Sequence, residues 1–466
     1  MKTKQIVLIL ISGFLIFNSC SEDTELLRDP FVVAFESLSK NLNTFETETT
    51  INLVYSEVAT ESGTVSIRLD TENAIYGQDF ITTPEAVNNV ITLSVTNGDS
   101  ENTIHFTKLN SALDETTNIV FVISEINYNN SNIQGNSSFT INSSPALGGS
   151  LVAEVGGPNQ ENQVFIDLST ETATAVKRDS WDLGFYNGEN FRVTINGSIY
   201  MATKALEYYN IDEVTEVSVE NLKNEVAVGT FNPDNAAYVD APNGDILETA
   251  IDEISVNNNE NPVYLVNMGY EVGTSTPTTG SVQVAGAHRG WKKVRILLED
   301  NNYVLQYANL DATTHQQIVI PKKDNYNFSY FSFNTNSVVD VEPEKEKWDV
   351  CFTVFTNIIE GAGSYGFSDF VIHNRKGNVQ SYQADATIIS YDDFLLQDVE
   401  LTSFSLDQTT IGSNWRDVFS RATYTDRFYV LKDSNGNIYK IKFLTMTNNN
   451  GERGYPEFQY ELLNNI

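Results

Sequence analysis

The chain has 466 residues, with 28 Lys and Arg against 62 Asp and Glu and a formal charge of −34. Such an excess of acids excludes the clustered cations that grip nucleic acid or anionic lipid electrostatically. Hydrophobic residues at 41% and aromatics at 11% exclude wholesale disorder, and the length exceeds what one core serves, so about three domains are expected.

At the N-terminus, Lys2 and Lys4 precede an apolar run over 6–17, then Asn18, Ser19 and Cys20. The run is too short to span a bilayer at the helical rise per residue, but suits a signal h-region. A small residue directly before Cys20 fits a bacterial lipoprotein cleavage site, so 1–19 reads as a lipoprotein signal peptide and Cys20 as the lipidated residue, with acyl chains as the anchor. The acidic tether over 20–30, opening Ser21, Glu22, Asp23, resembles the signal that exports Bacteroidetes lipoproteins to the outer face of the outer membrane. The resemblance implies an outer-membrane, lipid-anchored, cell-surface protein. Cys351 then has no partner for a disulfide. It lies in an apolar run and reads as a small buried hydrophobe.

Residues 31–145 carry short β-type runs at 31–35, 50–55, 63–69, 90–95, 102–107 and 118–126, separated by polar turns. Spacing near ten residues predicts a β-sandwich. Tyr76, Gly77, Gln78, Asp79 and Phe80 stand where the Calx-beta family has its Gly-x-Asp-Tyr turn, and Asp114 with Glu115 precedes the last strand. The segment resembles a Calx-beta domain. That resemblance implies calcium held by carboxylates, since Ca²⁺ takes six to eight oxygens; the matching positions are Glu48, Asp79, Asp114 and Glu115, and the family's doubled Asp is absent. The domain reads as a spacer.

Gly148, Gly149, Gly156, Gly157 and Pro158 punctuate the next boundary and predict an exposed joint over 144–157. The first of two β units, 150–318, holds a strand near 163–168, a polar stretch, and Trp181-Asp182 before an apolar run. Alternation predicts a strand over 190–200, a short helix over 202–209 and a strand over 262–266. A Gly/Ser/Thr-rich loop covers 273–280. A hairpin then turns across Asp300, Asn301 and Asn302, with Tyr303, Leu305 and Tyr307 on one face.

The second unit, 319–466, repeats the text. The stretch YNFSYFSFNTNSVVDVEPEKEKWDVCF, 326–352, has aromatic strand residues, a charged turn from Glu342 to Lys347, and Trp348-Asp349. The interval between the two Trp-Asp pairs, about 170 residues, is of domain size rather than a solenoid period. Asn435-Gly436 between alternating runs marks a hairpin, and Phe458, Tyr460 and Leu462 alternate in a closing strand. With DRFYVLKDSNGNIYKIKF and GYPEFQYELL, this stretch resembles the HmuY family of haem-binding lipoproteins; the similarity spans 150–466 and is best over 326–466. It implies an all-β fold, an N-terminal β-sandwich followed by two related antiparallel β units, and haem as a cofactor.

Haem iron takes axial His, Met, Cys or Tyr. In the best-known member of the family the resemblance implies axial histidines between the Trp-Asp strand and the C-terminal hairpin, and Met in other members. Here 204–260 and 380–427 contain neither His nor Met. Met268 and His288 flank the 273–280 loop, whose folding back would bring both to one pocket mouth, and they are the candidate haem ligands. His105, His315, His373 and Met446 match no family position. No P-loop, dinucleotide fingerprint, zinc-protease helix or nucleophile elbow occurs, so an enzyme has no support. Two readings stand: capture of haem or another small hydrophobic ligand, with the ligand site degenerate, or a non-catalytic surface module for glycan or protein that kept the fold without haem binding. Neither involves nucleic acid.

Overall fold

The computed structural model describes residues 30–109, 113 and 116–463. The protein is all-β, and its first part is a sandwich of two five-stranded sheets. Glu48–Tyr55 shows why. Ile51 and Leu53 turn into the core while Thr50, Asn52 and Val54 stay outside, the period-two alternation of a half-buried strand. Phe106 of one sheet meets Phe121 of the other edge-on at 6.5 Å. The sandwich is tied to the rest at Leu38, whose N–H donates to the Gly148 carbonyl at 2.7 Å, and at Leu147, whose N–H donates to Ser39 Oγ at 2.7 Å.

The expected exposed joint over 144–157 is instead structured. Gly148–Val152 is a strand, antiparallel to the C-terminal strand Arg453–Leu462. Gly148 and Gly149 are buried. Glycine is needed at 148, where φ is +136° and a Cβ would fall on the Tyr460 carbonyl.

The two Trp-Asp units are not separately folded modules, because their strands pair crosswise. The hairpin Asn162–Asp167/Thr172–Lys177 of the first unit pairs with Val350–Ile359 of the second. The hairpin Phe328–Ser332/Ser337–Val339 of the second pairs with Leu183–Tyr186 of the first. Each Trp-Asp pair then caps the other unit's strand. Asp182 N–H donates to the Phe331 carbonyl at 2.8 Å and its Oδ2 accepts from Phe333 N at 2.6 Å. Asp349 N–H donates to the Ile166 carbonyl at 2.8 Å and its Oδ2 accepts from Leu168 N at 2.8 Å. Ile166 and Phe331 are thus equivalent, as are Phe165 and Tyr330, and Gln163 and Phe328.

The likeness continues past each Trp-Asp. Asn196 Nδ2 donates to the Arg178 and Trp181 carbonyls at 2.7 and 2.8 Å; Asn374 Nδ2 donates to those of Lys345 and Trp348 at 2.7 and 3.0 Å. Each Asn opens a 3₁₀ turn, Gly197–Ile199 or Arg375–Gly377, which ends in a left-handed residue, Tyr200 or Asn378. The turn at Asn196 shortens the strand expected over 190–200 to Val193–Ile195. The helix expected over 202–209 is the strand Ala202–Ala205, because Val263–Asn267 offers it a full antiparallel ladder. The hairpins at Asp300 and at Asn435-Gly436 form as read.

Candidate functional site

Between the exchanged hairpins lies a cavity of about 150 Å³. One side is aromatic. Phe165 packs edge-on against Trp348 at 5.1 Å, and its equivalent Tyr330 packs edge-on against Trp181 at 4.7 Å. Phe328 joins them, and Cys351 is fully buried beneath. Burial pushes the Cys351 thiol up, as expected for a packing residue rather than a nucleophile.

The two indoles differ. Trp181 Nε1 donates to Gln163 Oε1 at 2.8 Å. Trp348 has Phe328 at the position equivalent to Gln163, and its buried Nε1 has no hydrogen-bond partner among the described residues. The cost of burying an N–H unpaired is about 1–3 kcal/mol.

The other side is polar. Glu342, 6% exposed, accepts from Phe328 N through Oε1 at 2.9 Å. Burial raises its carboxyl to about 7, against the opposing pull of these hydrogen bonds and of Lys376. Asp240 accepts from Ile195 N and Ala250 N, both at 2.9 Å, and burial raises it to about 6. Lys376 Nζ donates to the Gly244 carbonyl at 3.0 Å, and burial lowers it to about 8. Its ammonium forms no ion pair within 4.0 Å among the described residues, although both carboxylates share its cavity. His373, on the same wall, is fully buried, with Nδ1 3.0 Å from Ser381 Oγ; burial lowers it to about 4, so it stays neutral.

The two long insertions without His or Met meet here. Val239, Asp240, Ala241, Asp245 and Thr249 from the first line the cavity, with Gln408 from the second. Gln408 Nε2 donates to the Pro242 carbonyl at 2.9 Å, and its backbone N–H to that of Asn243 at 3.1 Å. Arg375 fastens the first insertion through Asp245 at 2.9 Å.

Met268 and His288 are not part of this site. Their backbones run close, with Met268 N–H donating to the Gly290 carbonyl at 3.0 Å, so the loop does fold back. The side chains separate. Met268 is buried in the core with Leu183 and Tyr264, whereas His288 is exposed beside Tyr270 and Trp291. Gly290 N–H donates to His288 Nδ1 at 3.1 Å, so Nε2 carries the proton it shares with Asn267 Oδ1 at 2.9 Å. Both ring nitrogens are engaged. Of the calcium candidates, Glu48 is exposed at a strand start and Asp79 accepts from Ile75 N at 2.8 Å; Asp114 and Glu115 lie outside the described residues, as does Cys20. Among the described residues no three His, Cys, Asp or Glu side chains are grouped to hold a metal ion.

Sequence reasoning missed Glu342, Asp240 and Lys376. The sequence places Glu342 in a charged turn, and the local signal against exposure is its place directly after Val341, two residues past the strand Ser337–Val339.

A family model described as HmuY protein matches residues 159–314 and 324–460. No curated protein shows a matching sequence. Among solved structures, the apo Calx CBD1 domain is similar at 13% identity and a TM-score of 0.20, covering 24% of this chain and 97% of its own. The calcium-binding domain CBD12 of CALX1.1 is similar at 10% identity and a TM-score of 0.19, covering 63% of this chain and 83% of its own. A structure named as a lipoprotein of Bacteroides fragilis is similar at 11% identity and a TM-score of 0.15, covering 68% of this chain and 92% of its own.

Proposed function

The chain belongs to the HmuY family, and from that premise we propose that it is a lipid-anchored, non-catalytic surface protein that captures a small ligand between its exchanged units. The anchor is an acylated Cys20, and the acidic tether directs the protein to the outer face of the outer membrane. The sandwich over 31–145 holds the binding body away from the lipid.

The observation that carries this reading is the cavity, partly open to solvent, where both insertions meet. Its enclosed volume speaks against haem. Drug-sized ligands occupy pockets of roughly 300–1,000 Å³, a tetrapyrrole is at least that large, and this space is about 150 Å³. Nor do Met268 and His288 offer an axial pair, one being packed in the core and the other held by two hydrogen bonds. The family's fold and anchor are retained with a different ligand.

Haemin titration of the whole mature chain tests the haem side. No sharp low-spin Soret shift is expected, and a strong shift lost in both Met268→Ala and His288→Ala would restore haem capture. Cys20→Ala should move the protein from the membrane to the soluble fraction; retention in the membrane would remove the anchor.

A further inference from the structure

One group on the cavity has fewer partners than its chemistry allows. Lys376 as a whole is partly exposed, and its Nζ sits among groups that line the cavity. It donates to the Gly244 carbonyl at 3.0 Å and lies 5.4 Å from the centre of the Phe328 ring. An ammonium has three donors. The fully buried lysines use at least two of theirs. Lys293 donates to the Val214 and Ala312 carbonyls at 2.6 and 2.7 Å. Lys440 donates to those of Tyr391 and Phe394 at 2.9 and 3.2 Å and pairs with Glu461 at 3.1 Å. Lys376 has its one hydrogen bond and, among the described residues, no ion pair within 4.0 Å.

Such an amine becomes a nucleophile when it gives up its proton. Removal from water disfavours the charged form and outweighs the attraction of Glu342 and Asp240, which lowers Lys376 to about 8. About a tenth of it is then free amine at pH 7, against about three parts in ten thousand for an ordinary lysine. Desolvated lysines of this kind condense with carbonyl compounds. The walls suit a flat guest. The rings of Phe165, Phe328 and Tyr330 line the space, and its volume of about 150 Å³ matches one that accepts a benzene ring. Glu342 and Asp240, raised to about 7 and about 6 on the same cavity, can lend and take back a proton near neutral pH.

We propose that Lys376 captures a small aromatic aldehyde as a reversible imine inside the cavity. The nitrogen lone pair adds to the carbonyl carbon, and the carbonyl oxygen takes a proton. The C–O bond of the resulting carbinolamine then breaks as the C=N bond forms. The oxygen leaves as water with the two hydrogens of the amine, and no oxidant or further reactant is consumed. Resting on the reading of the cavity as the ligand site, this specifies what that site takes.

The test treats the whole mature chain carrying Cys20→Ala with equimolar benzaldehyde, traps imines with cyanoborohydride and maps the benzylated lysines by peptide mass spectrometry. Lys376 is expected to be labelled at least tenfold faster than any other lysine. Excess toluene, which fills the same space without a carbonyl, should slow that labelling at least fivefold and leave the surface lysines unchanged. Lys376→Arg, which keeps the charge, should lose this label alone. Saturation-transfer NMR reports toluene binding separately. If toluene binds but Lys376 is labelled no faster than the surface lysines, the cavity is a ligand site but its amine captures nothing, and the proposal falls. If labelling of Lys376 is indifferent to toluene, aldehyde reaches the amine from outside the cavity and the proposal falls as well. If toluene does not bind and Lys376 is not labelled, the cavity reading falls with it.

Discussion

Removing Asp182 should unfold both units together. Its side chain is fully buried, pairs with Arg289 at 2.7 Å, and accepts from Phe333 N at 2.6 Å. Asp182→Ala leaves the Arg289 guanidinium, itself 8% exposed, with only the Met268 carbonyl at 3.2 Å and Asn334 Oδ1 at 3.1 Å. Breaking a buried pair by deleting one partner costs about 3–5 kcal/mol. For a single cooperative unit of about 300 residues that lowers the melting temperature by roughly 5–8 °C. Asp182 belongs to the first unit and Phe333 to the second, so the loss should appear as one calorimetric transition moving as a whole. Asp182→Asn, which keeps an acceptor for Phe333 N but loses the charge, should fall between the two. A drop below about 1 kcal/mol, or a split into an early transition for 150–318 and an unchanged one for 319–466, would refute the crosswise account.

Glu342→Gln should flatten a pH dependence. The native carboxyl titrates near 7 against 4.5 ordinarily, so between those values the folded state holds a proton the unfolded chain has lost, and stability falls as pH rises by about 3 kcal/mol in all. Urea midpoints from pH 4.5 to 7.5 should show this slope in the parent and only a remnant, from Asp240, in the variant; equal slopes would contradict the burial of Glu342. Lys376 has the opposite sign, its amine lowered to about 8, so stability should rise from pH 8 to 10.5, and Lys376→Met should abolish that rise. Gly269→Ala should lower stability by about 2 kcal/mol or more, because φ is +66° and the new Cβ would fall on the Ile199 carbonyl; a thermal shift within error would contradict the close approach. Limited proteolysis should spare 144–157 in the folded chain, since Gly148–Val152 is laddered to the C-terminal strand, and early cutting there would argue against that pairing.

What the sequence made legible was local. Asn435-Gly436 and Asp300-Asn301 turn hairpins because the chemistry that closes them sits within a few residues. The burial of Tyr303 and Leu305 followed from period-two alternation alone. Ala202–Ala205 could not be read, because a stretch with helix-forming Ala, Lys and Leu becomes a strand only once Val263–Asn267, far along the chain, is beside it. Gly148 and Gly149 look like a flexible joint in the text for the same reason: their partner strand is the last in the chain. Glu342 is the sharpest case. Pro343 and the charges after it signal a solvated turn, and the backbone N–H of Phe328, presented from the neighbouring strand, with Asn327 Nδ2 beside it, makes a buried carboxylate tolerable there.

The repeated Trp-Asp text explains why a cavity lies where it does. Each Trp-Asp pair spends its backbone and carboxylate on the other unit's strand, so neither unit can close its own core and the two are bound to meet along Phe165 and Tyr330. Had both units kept the same side chains, that seam would be packed symmetrically, with each indole N–H answered by a glutamine. The divergence of Gln163 and Phe328, together with the larger share of the lining that 239–249 takes beside Gln408 of the other insertion, breaks the symmetry at the seam. The two units therefore share the interlocking residues that the fold requires, Asp182 with Asp349 and Asn196 with Asn374, while the residues between them differ.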